Sequence, residues 1–181
     1  MGVRAFIALE IPDAIKDRVE AVKGSLGFQG IVFVKKSAMH ITLQFLGDIE
    51  ESDAELVADA MRGISFSPFM VSLRGVSYFS PGFPKVIFAK VEEGAGELSE
   101  LYLRLGGAIS GKGLDPGREE YAPHLTIARV KGAVDGNGLV GAIGRLAETD
   151  FGSFEAGSVV LKRSVLTAEG PVYSDLYELD F

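Results

Sequence analysis

Apolar positions along the chain switch repeatedly between two periods. Val3 to Ile11 (VRAFIALEI) is rich in β-branched and aromatic residues and predicts a strand that ends at Pro12. From Asp13 the spacing lengthens: Ile15, Val19, Val22 and Leu26 recur on one helical face, predicting a helix over 13–26 that Gly27 and Gly30 stop. Strands are predicted over 31–34 and 39–46, interrupted by Lys35-Lys36-Ser37, with Gly47 ending the second. Ser52, with Glu55 three residues on, fits a capping box for a helix reaching Arg62, and Phe69 to Val76 reads as strand. The stretch Tyr78 to Lys85 (YFSPGFPK) combines proline, glycine and aromatics and reads as a boundary loop. The pattern then restarts: a strand over 86–91, then a helix over 95–110 with Leu98, Leu101, Leu105 and Ile109 inward. A glycine-rich loop leads to a strand ending at Val130. A short helix over 139–147, one long strand over 153–166 and a last strand over 172–179 complete the chain.

Each half thus reads β-α-β-α-β, and the second half adds a closing strand. This layout predicts a single domain over 1–181, made of two packed lobe-like halves of about 1–80 and 81–181. With 181 residues, 47% of them apolar and 24% charged, the chain can bury a substantial core. The longest uncharged runs, 24–34, 37–47 and 63–73, are each about half of what a membrane helix needs (~20 residues). The opening Met1-Gly2-Val3-Arg4-Ala5-Phe6 lacks the signal-peptide pattern, so a soluble, cytoplasmic protein is expected, acting as a monomer. There is no cysteine, which excludes disulfides and thiolate metal sites. The net charge of −7 argues against a broad nucleic-acid coat but leaves room for a small positive cleft.

The chain has two histidines and four threonines, and each histidine is followed two residues later by a threonine: His40-Ile41-Thr42 and His124-Leu125-Thr126. Strand alternation places His40, Thr42 and Gln44 on one face and Ile41, Leu43 and Phe45 on the other. Likewise His124, Thr126 and Ala128 oppose Leu125, Ile127 and Arg129, so Arg129 faces away from His124 unless a bulge intervenes. If a pseudo-two-fold relates the halves, the two His/Thr faces meet at one site. Two imidazoles there suit in-line displacement at phosphorus, one as base and one as acid, while the hydroxyls hold phosphate oxygens. Residue pattern alone leaves the two roles interchangeable. No carboxylate stands at ligand spacing beside either histidine, so neither a metal nor another cofactor is expected. Two glycine patterns, 106–112 (GGAISGK) and 136–141 (GNGLVG), resemble phosphate-binding loops in spacing but lack the right flanking elements, and read as helix ends.

The paired segments HITL at His40 and HLTI at His124 resemble the 2H phosphoesterase superfamily. With RAFIALEIP, HITLQFLGD, PKVIFAKV, YAPHLTIAR and SVLTAEGPVYSDLYEL, the chain is similar over nearly its whole length to the RNA 2′,3′-cyclic phosphodiesterases, first described as 2′-5′ RNA ligases. The resemblance implies a bilobal α+β fold, with antiparallel sheets from a duplicated β-α-β-α-β unit facing a central cleft. It implies opening of 2′,3′-cyclic phosphate ends of RNA, or of cyclic nucleotides, to 2′-phosphates. His40 would be the proton donor, His124 the proton acceptor, and Thr42 and Thr126 the phosphate-binding hydroxyls. Gln44 stands where many relatives carry Lys or Arg. Further candidate substrate contacts are Lys36, Arg118, Arg129 and Phe79, among flanking residues that also include Lys35, Lys131, Lys162, Arg163 and Phe83. Turnover-free nucleotide or RNA binding, and ligation by the reverse reaction, are the alternatives to hydrolysis.

Overall fold

The computed structural model describes residues 2–80, 83–117, 120–168 and 170–181. Its elements run β1 (Gly2–Glu10), α1 (Asp13–Val22), β2 (Ile31–Phe33), β3 (His40–Glu50), α2 (Glu51–Arg62), β4 (Phe69–Phe79) and β5 (Val86–Val91). They continue as α3 (Ala95–Gly111), β6 (His124–Val130), α4 (Gly136–Arg145), β7 (Asp150–Ala156), β8 (Ser158–Thr167) and β9 (Gly170–Asp180). The strands form one antiparallel path, β7-β4-β5-β6-β3-β1-β8-β9, with β2 added beside β6.

Four local expectations change. β3 does not stop at Gly47 but continues to Glu50, because Gly47 takes φ +70° and absorbs a register shift against Ala5 and Phe6. The strand therefore runs straight into α2, and the capping box falls on Glu50 and Asp53 rather than Ser52 and Glu55. The expected boundary loop is shorter, since β4 extends through Phe79 and pairs with β5 as a hairpin. The long strand over 153–166 is two strands, parted at Gly157: β7 pairs with β4, and β8 pairs with β1.

That last break shapes the molecule. β7 ends the strand path and β8 lies near its other end, yet only Gly157 separates them, so the sheet must curl until its outer strands meet. Phe66, Phe69 and Phe181 pack there, and Phe181 N donates to Gly157 O at 2.8 Å. Each part of the sheet draws on both halves of the chain. β4 of the first half joins β5, β6 and β7, while β8 and β9 of the second half join β1 and β3. The helices follow the same exchange: α1 packs on β7 and α4 on β4, whereas α2 and α3 pack together against β3. Their apolar faces (Ile15 and Val19; Val57 and Met61; Leu98, Leu101, Leu105 and Ile109; Leu139 and Ile143) join the core behind the sheet. The two glycine patterns end α3 and open α4, and the Asp135 side chain caps α4 by accepting from Gly138 N.

Candidate active site

The two parts of the sheet touch where the histidine strands do. β3 and β6 pair at one position, Ile41 opposite Leu125, and both side chains are buried. Extending this antiparallel register by one residue sets His40 opposite Thr126 and Thr42 opposite His124, which is the arrangement a pseudo-two-fold through the bridge requires. Beyond the bridge the strands part. The far end of β6 is taken by β2, and Val34 N donates to Ile127 O at 2.9 Å.

Both strands then carry the same irregularity. Ala8 and Ile7 of β1 face Thr42 and Gln44, and Phe88 and Ile87 of β5 face Thr126 and Ala128. Leu43 and Ile127 are therefore extra residues at matched bulges, and the inward–outward alternation inverts after each. Gln44 and Ala128 turn into the core, while Phe45 and Arg129 turn out onto the histidine face. This corrects two expectations. Gln44, 3% exposed, leaves the polar face and donates its amide to Pro116 O. Arg129 joins His124 because the bulge intervenes.

Backbone carbonyls orient the imidazoles. His124 Nδ1 donates to Ala122 O at 2.8 Å, which leaves Nε2 to face the cleft. His40 has the matching backbone hydrogen bond with Ala38, and its Nε2 lies 3.1 Å from Thr42 Oγ1. The repeated unit is thus Ala-x-His-x-Thr, in which Ala38 and Ala122, both visible in the sequence, supply the orienting carbonyls. Aromatic rings wall each histidine. Phe6 stacks on His40 at 4.8 Å and Tyr173 meets its edge at 5.3 Å, while Phe79 and Phe88 approach His124 at 4.8 and 5.2 Å.

This packing sets the protonation states. Burial pushes His40 down to about 4; the Ala38 hydrogen bond opposes the shift, and the charge of Lys162 adds to it. Burial also lowers His124, against the Ala122 hydrogen bond and with the charge of Arg129. Both imidazoles are therefore neutral at pH 7 before substrate binds.

A cavity of about 380 Å³ opens where the strands separate, with Thr42, Phe45, Phe79, Tyr121, His124 and Arg129 among its walls. His40 reaches its margin through Thr42. The other candidates lie elsewhere. Lys36 pairs with Asp17 at 2.5 Å, and Arg163 with Glu51 at 2.9 Å. Lys162, 8% exposed, sits between Glu10 at 2.5 Å and Asp175 at 2.6 Å. Lys35 and Lys131 are exposed, Phe83 lies against the start of α4, and Arg118 falls outside the described residues. Among the described residues no three His, Asp or Glu side chains converge as a metal site, and no helix is long and apolar enough to cross a membrane.

Residues 11–163 match the family described as the 2′-5′ RNA ligase superfamily. Two similar proteins are named RNA 2′,3′-cyclic phosphodiesterase. One, from Methanothermobacter thermautotrophicus, is 35% identical over 97% of each chain; the other, from Aeropyrum pernix, is 34% identical over 90% of this chain and 94% of its own. Among solved structures, a Thermus thermophilus protein superposes with a TM-score of 0.80 at 28% identity, over 98% of this chain and 97% of its own. The E. coli LigT complex with 3′-AMP does so with a TM-score of 0.81 at 16% identity, over 99% and 98%. The fold is α+β and LigT-like.

Proposed function

We propose, from the premise that this chain belongs to the 2′-5′ RNA ligase superfamily, that it opens 2′,3′-cyclic phosphates to 2′-phosphates by metal-independent two-histidine catalysis. The protein is an RNA 2′,3′-cyclic phosphodiesterase. Its substrates are RNA ends or nucleotides that carry the strained five-membered ring. In the proposed step the cleft-facing Nε2 of His124 takes a proton from water as the water oxygen attacks phosphorus. The P–O3′ bond breaks in line, and His40 delivers a proton to the departing 3′ oxygen. Thr42, Thr126 and Arg129 hold the non-bridging oxygens, whose charge grows in the transition state. The bound phosphate anion also raises the two lowered imidazoles, so one proton can reside on the pair at neutral pH.

The observation that supports this reading is the bridge at Ile41 and Leu125, which brings the two Ala-x-His-x-Thr strands side by side where Thr42 and His124 line one cavity. Since a single chain supplies both units, the site needs no second copy, which supports an enzyme working as a monomer. The test is incubation of a 2′,3′-cyclic mononucleotide and a cyclic-phosphate-ended oligonucleotide in excess EDTA, followed by ³¹P NMR. A 2′-phosphate product is expected. A 3′-phosphate product would overturn the leaving-group assignment, and binding without product would leave a nucleotide-binding module.

A further inference from the structure

Beyond Phe6 the sheet carries a polar row that opening a cyclic phosphate does not use. β1 and β8 pair without a break from Arg4 to Ala8, so Arg4 shares the face of Phe6, the ring stacked on His40. Arg4 stands opposite Ser164 on β8, and Ser164 opposite Tyr173 on β9, which sets three polar side chains abreast on that face. Tyr173 leans back toward the site, its ring 4.9 Å from Phe6 and 5.3 Å from His40. Burial raises its phenol above the ordinary value, and the charges of Arg129, Arg4 and Lys162 oppose the rise, so the hydroxyl stands in the field of both guanidinium groups. Lys162 is taken up by Glu10 and Asp175, and Lys36 by Asp17. Arg4 is exposed, and among the described residues it has no ion pair, although Asp48 stands opposite it on β3. It lies two residues, ~7 Å, along β1 from Phe6, a step comparable to one repeat of an extended nucleotide backbone.

We propose that Arg4, with the hydroxyls of Ser164 and Tyr173, holds the phosphodiester that joins the terminal nucleotide to the rest of the RNA. This rests on the cyclic-phosphate reading above and adds how an RNA end is told from a free cyclic nucleotide. β6 and β1 flank β3, so Arg129 and Arg4 approach the His40 strand from opposite sides, one guanidinium for each of two successive phosphates. Guanidinium and hydroxyl groups bond phosphate oxygens without reading a base, so the grip favours length over sequence. A short basic track of this kind is compatible with the net charge of −7, which a broad nucleic-acid coat is not.

The test compares wild type, Arg4→Met and Arg4→Lys on three substrates. These are a 2′,3′-cyclic mononucleotide with a free 5′-hydroxyl, a dinucleotide ending in that nucleotide, and the same dinucleotide with an uncharged methylphosphonate linkage. Both dinucleotides carry 2′-O-methyl on the upstream ribose. Wild type is expected to show its lowest KM on the phosphodiester dinucleotide. Arg4→Met is expected to raise that KM about 5- to 50-fold with little change in kcat, and to leave the other two substrates at wild-type values. Arg4→Lys is expected to fall in between. The slope of log(1/KM) against log[salt] on the phosphodiester should be shallower in Arg4→Met by about 0.7, as for loss of one phosphate contact on a single strand. Equal losses on mononucleotide and dinucleotide, no loss on any substrate, or the same loss on the methylphosphonate would overturn the subsite. Wild type that opens none of the three would instead refute the cyclic-phosphate reading itself.

Discussion

His40 and His124 hang from nearly the same backbone in unlike electrical surroundings. Opposite His40 on β1 is Glu10, bonded to Lys162, which is bonded in turn to Asp175 on β9; Lys16 approaches Glu10 at 3.9 Å. Burial opposes the charge on Lys162, but Asp175 and Glu10 outweigh it and hold the ammonium above its ordinary value. Opposite His124 on β5 is Lys90, and the neighbouring cation is Arg129, which lines the open cavity. The rings differ too: Phe6 lies nearly face-on to His40 at 27°, whereas Phe79 meets His124 edge-on at 85°. The duplicated backbone supplies the shared geometry of two carbonyl-oriented imidazoles. What differs between them is the set of charges brought in by β1, β5, β8 and β9.

The strongest way to break this comparison is to remove each histidine. His40→Ala and His124→Ala should each lower kcat by about 10²–10⁴-fold, with the double variant well short of the product of the two. In the proposed polarity His40→Ala loses the alkaline limb of the pH–rate profile and His124→Ala the acidic limb; the opposite pattern would exchange donor and base. Arg129→Met should cost about 10²-fold in kcat, as expected for loss of a group that meets developing phosphate charge. Steady-state kinetics on a 2′,3′-cyclic mononucleotide checks this loss.

The pH dependence of wild type sharpens the same contrast. Both histidines lie below 6.5 in the free protein, His40 at about 4. In the proposed mechanism the productive form keeps one proton on the pair. Above pH 6.5 both imidazoles are deprotonated, so kcat/KM should fall about tenfold per pH unit; in acid, once both are protonated, the base is lost and kcat/KM falls again. The alkaline limb of kcat should lie higher, because a bound phosphate anion favours the imidazolium. An optimum of kcat/KM above pH 7 would contradict the lowered values. The smallest effect is at Lys162. Lys162→Met removes a cation that lowers His40, leaves Glu10 and Asp175 near it, and should raise the His40 titration by about one unit while His124 stays put. With two histidines in the chain, NMR titration reads both without ambiguity.

Much of this was legible in residue order, because strand and helix periods and the His-x-Thr repeat are local patterns. Alternating apolar residues mark β3 and β6 whatever their partners, and Leu98, Leu101, Leu105 and Ile109 mark the buried face of α3. The same patterning was enough to pair His40 with Thr42 and His124 with Thr126. It could not reveal the bulges at Leu43 and Ile127, since a bulge is a mismatch in residue count between two strands, and the partners Ala8 and Ile7 or Phe88 and Ile87 are far away in the chain. From those two mismatches came the burial of Gln44, the arrival of Arg129 and the exposure of Phe45. For the same reason Gly157 gave no warning that β7 and β8 join different parts of the sheet, nor Lys162 that its partners would be Glu10 and Asp175. Which residues are candidates for the chemistry follows from side-chain type and local period; which way each of them faces depends on hydrogen-bond register between distant strands, which forms only when the sheet does.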